Sequence, residues 1–397
     1  VGTNGNGQGI ISLTGEGLTA SGNYSHAEGK NSVAYGTYSW STGFSDTASA
    51  EAAIAMGYQN KVSGLYGFSA GYKNIVNYQS GVAMGQENAD SGWSSMTMGL
   101  KNRIFDGVSY SHALGYNNEI QGGFSNITLG ETNIISSGRA NTTLGLGNNI
   151  EGNYGTALGR NNKILAGSHH IAGGDNNTIK SGLSSTLLGY NNVSDGFYLG
   201  AIGRENSVFF QSGVALGQSN KDSGYASIAG GLSNVIEKNV QFSSVFGQNN
   251  LATRNLSLQS TVPGGGTFSA GINNINSGYA SIALGSFNRS TSLNSLAANF
   301  NSVANSYSMS AFGHFNDTAA AQPNTSFEPG EMLFAIGNGT NDLSRRNSFT
   351  MLRNGYTTIN ATTENGPNIP RAELDVKGTG AMIVPVGTTA QRPETPV

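Results

Sequence analysis

A glycine recurs about every fourteen residues along most of this 397-residue chain, at the end of short elements such as Ala-Met-Gly and Thr-Leu-Gly. The first intervals are all fourteen residues, and later ones are mostly 14 to 16. This period is too short for a helical repeat of about 30 residues or more, and it fits one coil of a parallel β-solenoid with two short strands. The repeat glycines are Gly15, Gly29, Gly43, Gly57, Gly71, Gly85, Gly99, Gly115, Gly130, Gly145, Gly159, Gly174, Gly189, Gly203, Gly217, Gly231, Gly247, Gly271, Gly285 and Gly313.

The residues before each glycine alternate in size, as they do on a β-strand. Ile54 and Met56 share one face of the predicted strand, and the small Ala55 between them points to the other face. The second strand contributes residues such as Val62. A coil this short encloses little space, so we expect one column of Ile, Leu and Met side chains to fill it. The small-residue column then faces outward, where the backbone of another copy packs against it.

An asparagine stands three residues after most of the repeat glycines. Parallel coils place equivalent side chains about 4.8 Å apart, and amide side chains at that spacing hydrogen-bond to one another as a ladder. We therefore predict a structural role for this column and give ligand binding by it second place. The predicted ladder comprises Asn60, Asn74, Asn88, Asn102, Asn118, Asn133, Asn148, Asn162, Asn177, Asn192, Asn206, Asn220 and Asn234.

The composition restricts the class of partner. Glycine supplies 58 residues, while 37% of the chain is hydrophobic and only 11% is charged, which predicts a thin core held by backbone hydrogen bonds. The net charge of −3 indicates no basic surface for nucleic acid. Cysteine is absent, which excludes disulfides and thiolate metal sites. No apolar run reaches 18 residues, so the sequence predicts no membrane span.

The glycine repeat fails after Gly313. In the C-terminal part, Asn347–Ala361 alternates around Asn354 and Gly355, a pair that is typical of type I′ turns in β-hairpins. The predicted domains are an N-terminal lead-in over residues 1–14, a β-roll repeat region over 15–313, and a small C-terminal β-hairpin module with an extended connector over 314–397.

Copies of one hexapeptide resemble a known family. NSVAYG at Asn31–Gly36, SGVAMG at Ser80–Gly85 and SGVALG at Ser212–Gly217 are similar to the head repeats of YadA-like trimeric autotransporter adhesins. The resemblance covers roughly residues 10–320 and implies a left-handed parallel β-roll in a parallel homotrimer. The chain departs from that family in its asparagine column and its longer insertions. The stretch FAIGNGTNDLSRRNSFTMLRNG, from Phe334 onward, resembles modules of phage tail fibres and of Bacteroidetes-type surface proteins.

Aromatic residues recur after the second glycine of many coils. They are either corner residues that cover the thin core or an exposed strip that stacks on sugar rings, and both interpretations stay open. The candidate receptor-contact residues are Trp93, Phe197, Tyr198, Phe209, Phe210, Tyr225 and Tyr279. Longer loops on a rigid scaffold also carry recognition. The candidate loops are Asn102–Ser109, Val235–Ser243, Leu251–Thr267 and Ala319–Gly330.

No arrangement of residues in the sequence indicates catalysis. Lone acids such as Asp90 and Asp222 are expected at turns, and no Ser/His/Asp combination is apparent. His169 and His170 are adjacent, so on a strand they point to opposite faces. His112 is expected in a core position, where a three-fold axis could gather its copies around an ion. We predict no enzymatic activity, no cofactor and no metal site within one chain.

These features predict a non-enzymatic, homotrimeric fibre protein that attaches to a cell surface or glycan. The expected setting is extracellular, as a phage tail or head fibre or an extracellular filament. A bacterial trimeric autotransporter-like surface adhesin is the first alternative, and a polysaccharide-cleaving tailspike is the second. The expected partners are sister copies of the chain and a receptor on a host or neighbouring cell, with no nucleic acid.

Overall fold

A computed structural model describes residues 12–254, 264–319, 321, 326–361 and 369–378. The chain divides into two compact units, Val1–Thr253 and Arg254–Val397. The described residues form strands and turns, and none of them belongs to a helix with the length and apolarity needed to cross a membrane. Within the units, strands pair in parallel from coil to coil at about fourteen-residue spacing, which confirms the predicted all-β parallel β-solenoid.

One coil of the first unit consists of a long strand, a turn, a short strand and a second turn. In the coil around Gly57, the long strand is Ile54–Tyr58 and the short strand is Lys61–Val62. Each turn passes through one left-handed residue, Gln59 with φ 54° and Tyr66 with φ 58°. We call the turn that carries the asparagine the first corner and the other turn the second corner.

The first unit stacks these coils with glycine opposite glycine, as in the pairing of Gly85 with Gly71 and Gly99. Its long strands are β1 (Ser12–Glu16), β3 (His26–Lys30), β5 (Trp40–Phe44), β7 (Ile54–Tyr58), β9 (Phe68–Tyr72), β11 (Val82–Gln86), β13 (Met96–Leu100), β15 (His112–Tyr116), β17 (Ile127–Glu131), β19 (Thr142–Leu146), β21 (Thr156–Arg160), β23 (Ile171–Asp175), β25 (Thr186–Tyr190), β27 (Gly200–Arg204), β29 (Val214–Gln218), β31 (Ile228–Leu232) and β34 (Ser244–Gln248).

The second strands of these coils form a parallel ladder of their own. They are β2 (Thr19–Ala20), β4 (Val33–Ala34), β6 (Thr47–Ala48), β8 (Lys61–Val62), β10 (Ile75–Val76), β12 (Ala89–Asp90), β14 (Arg103–Ile104), β16 (Glu119–Ile120), β18 (Ile134–Ile135), β20 (Asn149–Ile150), β22 (Lys163–Ile164), β24 (Thr178–Leu183), β26 (Val193–Phe197), β28 (Ser207–Gln211), β30 (Lys221–Asp222), β32 (Val235–Ile236) and β35 (Leu251–Ala252). The short strand β33 (Val240–Gln241) lies outside this ladder.

The inside and the outside of the long strands are the reverse of the sequence prediction. Ala55, expected to face outward, is fully buried inside the coil, whereas Met56 is 36% exposed and Leu144 is 51% exposed. The second strand explains the reversal, because its Val62 or Ile104 type of residue already fills the interior. Across a coil this thin the long strand then places mainly Ala, Ser or Thr inside, and its other large side chains point outward. The buried Leu187 and Val245 occur where the second strand has the small residues Ser194 and Ala252 inside.

The repeat glycines are required by the spacing of the coils. Gly130 has φ +116°, and a Cβ atom on it would lie 2.1 Å from the carbonyl oxygen of Gly145. A contact that short with backbone cannot be relieved by a side-chain movement. The fourteen-residue spacing of the glycines in the sequence therefore results from the close approach of the backbone of one coil to that of the next.

The second unit contains the same kind of coil, followed by strands that pair in antiparallel. Asn299 replaces the repeat glycine, pairing with Gly285 and taking φ 83°. β44 pairs in parallel with β43 and antiparallel with β45, which is antiparallel to β46. The strands of this unit are β36 (Gly264–Gly265), β37 (Phe268–Ile272), β38 (Ile275–Asn276), β39 (Ile282–Ser286), β40 (Arg289–Ser290), β41 (Leu296–Phe300), β42 (Val303–Ala304), β43 (Ser310–His314), β44 (Met332–Asn338), β45 (Asn347–Leu352), β46 (Thr357–Ala361) and β47 (Leu374–Val376).

The connection between β45 and β46 differs from the type I′ turn that the sequence predicts. Type I′ needs a positive φ at both central residues, and only Gly355 of the Asn354-Gly355 pair has one, at 87°. The backbone amide of Gly355 donates to the carbonyl oxygen of Leu352 at 3.0 Å. The backbone amide of Leu352 donates to the carbonyl oxygen of Tyr356 at 2.8 Å. The loop is therefore one residue longer than predicted, with glycine in the left-handed position.

Candidate functional site

The asparagine column at the first corner is buried and hydrogen-bonded from coil to coil. The Nδ2 atom of Asn88 donates to Asn74 Oδ1 at 3.0 Å, to the Met84 carbonyl at 2.8 Å and to the Gly99 carbonyl at 2.7 Å. The backbone amide of Asn88 donates to the same Asn74 oxygen at 3.0 Å. Every predicted ladder position from Asn60 to Asn234 is buried. The amides are engaged with neighbouring coils, so this column offers a ligand no polar atom.

An aspartate stands in place of asparagine one coil before the predicted ladder begins. Asp46 Oδ1 accepts from the backbone amide of Asn60 at 2.7 Å and from its Nδ2 atom at 2.9 Å. The other carboxyl oxygen, Oδ2, is buried without a hydrogen-bond partner. Burial raises the pKa of Asp46 above its ordinary value, against the lowering effect of the hydrogen bonds from Asn60.

Two further carboxylates lie inside the coils, and the prediction that they stand at turns is wrong. Asp90 and Asp222 occupy the interior position of a second strand, where other coils have Val or Ile. Asp90 accepts hydrogen bonds from the Gly92 amide at 3.0 Å, the Val82 amide at 3.3 Å and the hydroxyl of Ser95. Burial raises the pKa of Asp90 to about 6. Both residues are sealed from substrate by the coil around them.

A repeated motif in the sequence could have identified these buried acids. Both are followed by Ser-Gly, an aromatic residue and, five positions after the acid, a serine. That serine hydroxyl donates to the carboxylate in each case, and the Ser227–Asp222 distance is 2.5 Å. Asn276 of the second unit has the same context and accepts from Ser281. The motif therefore identifies an interior side chain that accepts hydrogen bonds from residues of the second corner.

Three of the seven aromatic candidates meet at one place on the second corner. Phe197, Phe209 and Phe210 line a groove of about 580 Å³, together with Asp195, Lys221 and Lys238. Lys238 belongs to the predicted recognition loop Val235–Ser243, so one candidate loop and three candidate residues converge. We call this set of side chains the aromatic–lysine groove.

The register of the coils explains why the groove exists. Gly196, Phe210 and Gly224 occupy one column of successive coils, each seven residues after a repeat glycine. In the next coil Val240 lies beside Gly224, and Lys238 belongs to the longer loop that precedes it. Gly196 pairs directly with Phe210. The two glycines have no side chains to fill the space beside the Phe210 ring. Around this column the second strands β26 and β28 are also five residues long instead of two, which broadens the surface.

The other aromatic candidates are spread over the second corner. Trp93 lies 4.9 Å from the Tyr110 ring and lines a smaller groove of about 220 Å³ with Asp106 and Val108 of the loop Asn102–Ser109. Tyr225 makes edge contacts to Phe210 at 6.4 Å and to Phe242 at 5.5 Å. Exposed but outside both grooves are Tyr198 and Tyr279. The loops Leu251–Thr267 and Ala319–Gly330 lie partly outside the described residues.

The histidines do not form a joint site. His169 stacks on the ring of Tyr154 at 4.8 Å, whereas His170 is fully buried and accepts from the Ser185 amide at its Nδ1 atom, 3.1 Å away. His112 lies on the partly exposed outward side of β15, where a core position was expected. Across the ranges that the structure describes, no three His, Asp or Glu side chains are grouped as a metal site would require.

The outward face of the long strands carries an apolar column, interrupted in a few coils by a small residue, which we call the apolar stripe. Its members directly precede the repeat glycines, and several are more than a third exposed. An exposed apolar surface that repeats from coil to coil is a candidate interaction site. The stripe consists of Met56, Met84, Met98, Leu114, Leu129, Leu144, Leu158, Leu188, Ile202, Leu216 and Phe246.

Comparison with known proteins adds no family. No protein-family model matches the chain, and no curated protein matches it. The features of the molecule that bear on its function are the apolar stripe, the two corners and the aromatic–lysine groove.

Proposed function

We propose that this chain is a non-enzymatic fibre protein that assembles as a parallel homotrimer and attaches to a cell surface or glycan. The observation that carries the proposal is the apolar stripe. Met56 and Leu144 are large apolar side chains held outward by the alternation of the strand, with the interior of the coil already filled. Burial of such surface stabilises an assembly by about 25 cal/mol per Å².

The regular spacing of the stripe favours sister copies as the partner. When an identical chain lies beside it in parallel, each coil places its apolar side chain level with the equivalent side chain of that neighbour. Three stripes that face one axis cover one another along their length, which agrees with the trimer implied by the YadA-like resemblance. Small residues interrupt the column at Ala70, Gly173 and Gly230, where a neighbouring backbone has room to approach.

The second corner supplies the attachment surface in this proposal. Both grooves and the exposed aromatic candidates lie there, on the side of the coil away from the ladder. A trimer presents each groove three times, so weak contacts to a repetitive surface add up through avidity. The buried carboxylates of Asp90 and Asp222 are closed off from substrate, which favours binding over hydrolysis.

The proposed setting is extracellular, either a phage tail or head fibre or an extracellular filament. The resemblance of the stretch from Phe334 onward to fibre and surface-protein modules supports this setting. A bacterial trimeric surface adhesin remains the second candidate, because the same stripe and corners would serve it equally.

Sedimentation equilibrium tests the assembly, and binding of the fluorescent protein to a panel of bacterial cells tests attachment. We expect three chains per particle for the wild type and for the control variant Lys163→Glu, which changes an exposed residue of a short strand. Leu144→Glu combined with Leu158→Glu places charges on the stripe and should yield single chains that keep a β circular dichroism spectrum. A wild-type protein that sediments as one chain would contradict the proposal.

A further inference from the structure

We infer that the aromatic–lysine groove binds acidic sugars, with the ring faces of Phe197 and Phe210 under the sugar and Lys221 and Lys238 paired to its carboxylate. This inference rests on the proposed attachment function and names the ligand class of that surface. The groove volume of about 580 Å³ is in the range of ligand sites, about 300–1,000 Å³.

The backbone at Phe210 is the first argument for a binding role. Phe210 has φ 83°, a conformation that disfavours a bulky residue, in a column where the coils on both sides have glycine. Its side chain is 57% exposed, so burial does not compensate for the strain. A strained, exposed aromatic residue with a glycine on either side indicates a surface kept for a ligand.

The charges around the groove select the kind of ligand. Lys221 and Lys238 are both exposed, and neither forms an ion pair with any residue that the structure describes. The single acid in the lining is Asp195, whose Oδ1 atom accepts from the Ser181 hydroxyl at 2.5 Å. The groove therefore has two ammonium groups and one carboxylate, and that carboxylate already has a hydrogen-bond partner. This excess of positive charge favours an anionic ligand.

The strand pairing favours a sugar over an extended peptide. A peptide that adds to a sheet needs a free strand edge, and β28 under the groove is already paired with β26 on one side and β30 on the other. What the groove offers is aromatic ring faces beside cations. The apolar C–H face of a pyranose packs on such rings, and a carboxylate on the same sugar reaches the lysines.

An oligosaccharide array tests the inference with matched probes. The array carries uronate- and sialate-containing oligosaccharides, each beside its carboxyl-reduced neutral counterpart, and poly-glutamate as an acidic peptide. The trimer is applied as wild type, as Phe210→Gly, as Lys221→Gln with Lys238→Gln, and as the control Lys163→Gln. Phe210→Gly installs the residue that the adjacent coils already have at this column, so the fold is expected to survive, and a thermal melt checks it.

We expect the wild type and Lys163→Gln to bind acidic oligosaccharides at least tenfold more strongly than the reduced forms. Phe210→Gly and the double lysine variant should each lose at least tenfold. The inference is overturned if no acidic oligosaccharide exceeds its neutral counterpart, if Phe210→Gly binds like the wild type, or if only poly-glutamate binds. A Phe210→Gly trimer that still coats cells would overturn this inference alone, whereas a wild type that neither trimerises nor coats cells would overturn the proposed function.

Discussion

The two corners of each coil share a backbone conformation and differ in almost everything else. Gln59 at the first corner and Tyr66 at the second both adopt a left-handed conformation. At the first corner, a buried asparagine ties three neighbouring coils together through one amide. At the second corner, the insertions, the aromatic residues and both grooves are found. Buried asparagines tie coils together at the second corner only locally, as Asn141 does through the hydrogen bond that its backbone amide donates to Asn126 Oδ1. A corner whose side chains bond to the next coil in nearly every repeat stays regular, whereas a corner where they do so only locally has positions available for recognition.

The largest expected effect comes from adding one methyl group to a repeat glycine. Gly130→Ala places a Cβ atom 2.1 Å from the carbonyl of Gly145, and we expect a loss of more than about 4 kcal/mol in the free energy of unfolding. Gly107 at the second corner also has a positive φ, +80°, but no atom within 4 Å of a Cβ position. Gly107→Ala should therefore cost only about 1 kcal/mol. Guanidinium unfolding measures both, and equal losses would contradict the comparison.

The next effect separates the polar residues of the two corners. Asn118→Ala removes one hydrogen bond from each of the Gly130 and Leu114 carbonyls and the acceptor of the Asn133 amide. A buried donor without an acceptor costs about 1–3 kcal/mol and a lost hydrogen bond about 1 kcal/mol, so we expect a loss of about 3 kcal/mol.

The matched control for this ladder variant is Ser125→Ala. Ser125 is exposed and left-handed at the second corner, where Ala140 occupies the corresponding place in the next coil. We expect a change within about 0.5 kcal/mol. Equal free energies of unfolding for the two alanine variants in denaturant would show that the asparagine ladder does not stabilise the first corner.

Extending the asparagine ladder by one coil, with Asp46→Asn, should stabilise the protein at neutral pH. Asp46→Asn supplies an amide that donates where the buried Oδ2 atom has no partner, and we expect a gain of about 1 kcal/mol. Because burial raises the folded-state pKa of Asp46 above 3.8, the folded protein holds that proton more tightly than the unfolded chain does. The wild type therefore gains stability as the pH falls through the raised pKa toward 3.8.

Melting temperatures at neutral and acidic pH check this prediction. The advantage of Asp46→Asn should be full at pH 7 and should shrink in acid. Asp46→Ala, which removes the acceptor for Asn60, should be less stable than the wild type at both. A stability advantage of Asp46→Asn that grows as the pH falls would contradict the predicted direction of the pH dependence.

The smallest expected effect is at the second corner itself. Phe210→Gly relieves the strain at φ 83°, and part of that gain is offset by the greater freedom of glycine in the unfolded chain. We expect a net stabilisation of about 1 kcal/mol. A fall in melting temperature would indicate that the Phe210 ring contributes to the fold, and that its exposure has no functional meaning.

The sequence was sufficient for the fold class because glycine spacing reports backbone contact directly. It was insufficient for the orientation of the long strand, because alternation separates Ala55 from Met56 without saying which of them is inside. Asp90 was misplaced because an acid at an interior position is rare unless a partner such as Ser95 closes the site. The groove could be predicted only in part. Counting seven residues from each repeat glycine places Phe210 between Gly196 and Gly224, whereas Lys238 lies in a longer loop that the repeat does not position.

Oxidation of methionine by peroxide tests most directly whether sister copies cover the apolar stripe. Met56, Met84 and Met98 lie on the stripe, and Met56 is 36% exposed in a single chain, whereas Met309 is fully buried. Exposed thioethers oxidise readily to the sulfoxide, and mass spectrometry of the peptides resolves each position. We predict that the three stripe methionines of the assembled protein oxidise as slowly as Met309. Rapid oxidation of Met56, at the rate of an exposed methionine, would contradict the account.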